Sequence, residues 1–96
     1  IKDVAKRPIN KKVQFEEATL IIPENTKINE KLGNLIDQET GYGLQIIFTN
    51  EKSSTCAKKK IRNGLSYGII YNDNITELRL IGQRIEKVNG FVNICN

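Results

Sequence analysis

Side chains able to do chemistry are few in this chain, and their spacing does not suit catalysis. The chain has no His, Met or Trp and two Cys, Cys56 and Cys95. A zinc site of His and Cys, a Ser–His–Asp triad and a Cys–His dyad each require residues that are missing. Glu16 and Glu17 are adjacent, and neighbouring side chains of a strand point to opposite faces, so they cannot converge on one proton. Glu30, Asp37, Glu39 and Glu77 fall at helix-surface or capping positions. Asn72-Asp73-Asn74 lacks the Gly and the terminal Glu of a calcium loop and reads as a turn. Gly41 and Gly43 follow a helical pattern instead of preceding one, which is the wrong end to cradle a phosphate. We therefore expect no catalytic, metal or cofactor-binding residues, and a non-enzymatic protein.

The two thiols suggest a different role. Cys56 lies in a polar middle segment and Cys95 next to the last residue, so a Cys56–Cys95 disulfide would tie down the C-terminal end. Closing a loop of about 40 residues is worth roughly 3 to 4 kcal/mol on the chain-entropy view. The alternative is two buried, unlinked thiols in a cytosolic protein. A disulfide goes with an oxidising compartment, and Ile1 in place of Met fits a removed targeting segment or excision from a longer chain. The expectation is a periplasmic or secreted protein.

Charge is segregated. Residues 1–12 carry Lys2, Lys6, Arg7, Lys11 and Lys12 against Asp3, and residues 52–62 carry Lys52, Lys58, Lys59, Lys60 and Arg62 with no acid, within a net charge of +4. Lys58, Lys59, Lys60 and Arg62 are candidates for contact with an acidic partner; the alternative is a solvated loop. Nucleic acid is not expected, because no aromatics interleave with the lysines for base stacking. Tyr67 and Tyr71 are candidates for a binding face, against the commoner role of strand aromatics in a core.

These residues need elements to hold them. Residues 1–12 read as a basic, extended tail, and residues 13–96 as a single domain. Ala18, Leu20 and Ile22 alternate as a strand that ends at Pro23. Asn25 or Thr26 can cap a helix on which Ile28, Leu32, Leu35 and Ile36 form one stripe, with Gly41 as its stop. Leu44, Ile46 and Phe48 alternate in a second strand. Residues 50–64 suit a short helix or an open loop. Leu65, Tyr67, Ile69 and Tyr71 form a third strand. After the turn, Ile75, Leu78, Ile81, Ile85 and Val88 share a helical face, with Asn74 as cap and Asn89-Gly90 as stop, although Thr76, Leu78 and Leu80 would also fit a hairpin. Phe91 to Cys95 makes a last short strand. The order β-α-β-β-α-β predicts an α+β two-layer sandwich, a four-stranded sheet with two helices on one face. No apolar run reaches the roughly 18 residues of a membrane span. The chain would be a monomer or small oligomer.

Residues 18–48, with Leu32-Gly33-Asn34-Leu35 and Thr40-Gly41-Tyr42, resemble the opening of secretin N-terminal domains. That module also occurs in accessory proteins of type IV pili and secretion systems. The resemblance implies a protein–protein interaction domain of a bacterial envelope assembly, with another envelope or secretion-apparatus protein as partner. The expected element order is also similar to that of sporulation-related-repeat (SPOR) domains. Some of them carry a disulfide that ends in the last strand, where Cys95 stands, and that likeness implies binding to peptidoglycan glycans. A secreted or periplasmic inhibitor or immunity protein is the third reading, drawn from the basic surface.

Overall fold

The computed structural model describes residues 2–50, 60–62 and 67–93. Its elements are α1 (Lys2–Lys6), β1 (Ile9–Phe15), β2 (Ala18–Pro23), β3 (Thr26–Ile28), β4 (Asn34–Asp37), β5 (Gly43–Asn50), β6 (Lys60–Arg62), β7 (Tyr67–Tyr71), α2 (Thr76–Asn89) and β8 (Val92–Asn93). The strands form a two-stranded sheet, β1-β2, and a six-stranded sheet in the order β3-β4-β5-β7-β6-β8. Every pairing is antiparallel. The class is α+β, as the hydrophobic pattern predicts.

The core follows from that pattern. Leu44, Ile46 and Phe48 of β5 and Tyr67, Ile69 and Tyr71 of β7 turn one face of the large sheet inward. Leu78, Ile81 and Ile85 of α2 close over it, with Leu20 and Ile22 of β2 and Val4 of α1. The helix over 76–89 is therefore the right alternative, not the hairpin. Only the middle of its expected stripe is buried, for Ile75 and Val88 at its ends are exposed. Its N-cap is Ile75, without a side-chain cap, and not Asn74; the left-handed Gly90 ends it as expected.

Two expectations are corrected. The helix over 26–40 is the β3–β4 hairpin and the turn after it. Asn29 Oδ1 accepts from the N–H groups of Lys31 and Leu32, Gly33 takes φ +77°, and its N–H returns to Asn29 O at 2.7 Å. A Cβ on Gly33 would collide with the Phe48 carbonyl, so the close approach to β5 also requires glycine here. The supposed stripe is split: Leu35 is buried and Leu32 is 70% exposed. Local helical spacing lost to pairing with β5, which a single element's periodicity does not register. Gly41 is left-handed as expected, but it serves the β4–β5 turn. The residues quoted for the secretin-type resemblance thus do not form the helix it implies.

The second correction concerns residues 1–12, which are built into the fold and are not an extended tail. Val4 of α1 is fully buried, and β1 pairs with β2 from Ile9 to Phe15. The Glu16-Glu17 turn between them carries no sequence signal, because it has no Gly or Asn, although Glu16 adopts φ +54°. Element order accordingly differs from β-α-β-β-α-β: the first helix precedes all the strands.

Candidate functional site

Arg7 is the most heavily engaged side chain among the described residues. Its side chain is 10% exposed. Nη1 donates to Asp37 Oδ1 at 2.9 Å and to the carbonyls of Glu24 and Asn25. Nη2 donates to Asp3 Oδ2 at 2.7 Å and to Glu39 Oε2 at 2.9 Å. The bond from Arg7 holds the Asp37 carboxyl below its ordinary range, against the opposing effect of burial. The same bond, helped by Asp3, pushes the guanidinium further up. Arg84 donates to the carbonyls of Ala5 and Arg7, so α2 grips α1 from the other side. This cluster is a fastening: every partner belongs to the chain itself, and it pins α1, the β2–β3 corner and the β4–β5 turn together.

The tyrosines also face inward. Tyr67 and Tyr71 are 5% and 4% exposed. The Tyr71 hydroxyl donates to Glu86 Oε1. Burial, and then that bond, push its pKa well above the usual phenol value. The Tyr67 hydroxyl accepts from the Glu17 N–H at 3.2 Å. Both residues belong to the buried face of β7, so they do not form an exposed aromatic face, although Tyr71 also lines a cleft with Gln45, Ile47 and Asn72. Of the basic candidates, Lys60 and Arg62 lie on β6, in register with Ile70 and Gly68. Lys58 and Lys59 lie outside the described residues, as do Cys56 and Cys95 with their expected disulfide. Among the described residues no group of His, Cys, Asp and Glu could hold a metal ion. No helix among them is long and apolar enough to cross a membrane.

The feature that sequence reasoning missed is the pair of edges on the β1–β2 hairpin. On β2, the Ile21 N–H donates to Asn89 Oδ1 at 2.7 Å, and Asn89 Nδ2 donates to Ile21 O at 2.8 Å. One side-chain amide from the end of α2 thus does what a neighbouring strand would do. These bonds also reveal the phase of the ladder. In an antiparallel pair, residues alternate between bonding their partner and pointing away. Ile21 points away from β1, so its partner Lys12, and Gln14 two residues on, direct their main-chain N–H and C=O away from β2. Among the described residues nothing pairs with β1 on that side.

β3 has the same property. Asn29 N–H bonds Asn34 O and Gln38 N–H bonds Asn25 O, so residues 25, 27 and 29 face β4 while Thr26 and Ile28 face outward. Lys11 Nζ occupies the Thr26 carbonyl at 2.6 Å and reaches Gln38 Oε1 at 2.9 Å. β1 and β3 run on from this contact and border a cleft of about 820 Å³, lined by Val13, Phe15, Ile28, Leu32, Phe48 and Thr49 with charged residues at its rim. Thr49 Oγ1 is buried and has no hydrogen-bond partner among the described residues. The alternation of residues 9–15 could have signalled this strand, but Pro8 and the lysines made it read as a tail.

Comparison of the chain with known protein families, curated proteins and solved structures returns no match.

Proposed function

We propose that this chain is a non-enzymatic protein-binding domain whose partner adds a strand to the open edge of β1. The observation that carries the reading is that one edge of the β1–β2 hairpin is capped by Asn89 while the other leaves Lys12 and Gln14 with outward main-chain groups that nothing among the described residues pairs. Such an edge gives affinity through backbone hydrogen bonds, and neighbouring pockets give selectivity. The strand also carries the usual guards against indiscriminate pairing: a register shift between Ile9 and Lys11, and exposed Lys12. The described groups with perturbed acidity (Arg7, Asp37 and Tyr71) are all bonded within the chain, which favours binding over catalysis. The setting we propose, a bacterial envelope or secretion assembly, rests on the pair Cys56 and Cys95 and on an oxidising compartment. Tyr67 and Tyr71 in the core weigh against the glycan-binding alternative.

The test is capture of a partner from extracts of the source cells, followed by amide exchange on the purified complex. Strand addition slows exchange at Lys12 and Gln14 specifically. A complex that forms while those two amides exchange as in the free protein rules the reading out.

A further inference from the structure

We infer that the cleft between β1 and β3 selects its partner: it takes an extended segment that alternates apolar and acidic residues. The inference rests on the strand-addition reading and names the chemistry of the strand. Three features of the cleft specify it. The main-chain groups of Lys12 and Gln14 on one margin, and of Ile28 on the other, repeat at the two-residue period of a β-strand, so they match an extended main chain. The walls beneath are apolar: Val13, Phe15 and Ile28 are half-buried, and Leu32 stands largely uncovered at 70% exposure. They suit every second side chain of the segment.

Charge sets the remaining positions. Lys12 and Lys27 are exposed near the end where Lys11 pins β1 to β3, and no acid among the described residues is paired with either. Side chains that an added strand turns outward would lie beside Lys12, where a carboxylate is favoured and a cation is repelled. At the far end Glu16 and Glu30 stand with Lys31, so cations do not prevail there and acids belong beside Lys12 and Lys27. A second copy of β1 supplies apolar positions but no acid, for its outward residues are Asn10, Lys12 and Gln14.

The probe is a short acetylated, fluorescein-labelled peptide alternating Val or Leu with Glu, followed by fluorescence polarisation with the whole chain. The parent peptide should bind saturably. Replacing its Glu by Lys should weaken binding roughly tenfold or more, and the preference should shrink with added salt. Leu32→Ser, at a position too exposed to threaten the fold, should weaken the parent peptide by roughly tenfold, as loss of an apolar anchor does. N-methylation of every second peptide nitrogen should abolish binding in the frame that faces Lys12 and Gln14, and weaken it less in the frame that faces Ile28. No binding of the parent peptide, equal binding of the Glu and Lys forms, or indifference to Leu32→Ser overturns the inference. If the parent binds but does not distinguish Glu from Lys or ignores Leu32→Ser, loss of binding on N-methylation leaves strand addition standing and the selectivity falls. If both frames bind like the parent, strand addition itself is wrong. Sedimentation that finds a dimer dissolved by the peptide would assign the cleft to a second copy and overturn the choice of occupant.

Discussion

The two edges of the β1–β2 hairpin are built from the same ladder and finished in opposite ways. On the β2 side, Asn89 supplies one acceptor and one donor to Ile21, and the end of α2 covers the strand. On the β1 side, Lys12 and Gln14 direct the corresponding groups outward with no partner among the described residues. The difference shows how a small domain can close one edge with a single side chain and leave the other open. A buried edge must be satisfied, because each orphaned main-chain group costs about 1 to 3 kcal/mol. A solvated edge bonds to water at little cost, and lysine and a bulge are enough to limit unwanted pairing.

The largest effect should come from the fastening that holds the hairpin's base. Arg7→Ala leaves Asp37 buried without its ion partner and frees the carbonyls of Glu24 and Asn25. Chemical denaturation should show a loss of roughly 3 kcal/mol, the usual penalty for breaking a buried pair. If the hairpin edges alone organised this region, the loss would stay below about 1 kcal/mol. The same pair sets acid sensitivity. The folded Asp37 carboxyl titrates lower than in the unfolded chain, so its stabilisation is full above about pH 4 and is lost as pH falls through the folded value. Asp37→Asn should remove that part of the acid slope.

A smaller effect is expected at the closed edge. Asn89→Ala removes both bonds to Ile21 and should cost about 2 kcal/mol. Amide exchange at Ile21 should rise toward that of Lys12 and Gln14, making the two edges alike. Slow exchange at Ile21 in this variant would mean that packing of α2, not the amide, closes β2. The smallest change is Glu16→Gly at the turn. It relieves a left-handed backbone on a non-glycine residue and should stabilise by about 0.5 to 1 kcal/mol in thermal melts, while exchange at both edges keeps its contrast. A change at Lys12 or Gln14 would show that the turn, not the ladder, controls the open edge.

Much of the core was legible in the chain. The inward residues of β5 and β7, the strand Ala18–Pro23 and the buried stripe of α2 all follow from alternation or helical period, because burial on one face imposes that period whatever the topology. Residues 26–40 were misread for a related reason. Ile28, Leu32, Leu35 and Ile36 satisfy a helical spacing, and a loop of Asn29 to Gly33 between two short strands produces the same spacing by accident. Arg7 shows the limit most plainly, since a cation near the end of a chain reads as solvated until a carboxylate thirty residues away is found beside it.

The sequence by itself determined the α+β class, the inward residues of β2, β5 and β7, a helical stripe over 76–89 that competed with a hairpin, and the lack of His, all of which depend on residue type and local period. Only the tertiary structure decided which strand edges are open. Asn89 and Ile21 are far apart in sequence, as are Lys11 and Thr26, and each pair forms only after α2 and β3 have been packed into place. Whether a main-chain group is paired depends on its neighbours in space. Every residue but proline carries the same N–H and C=O, so the residue types do not reveal which of them are left over.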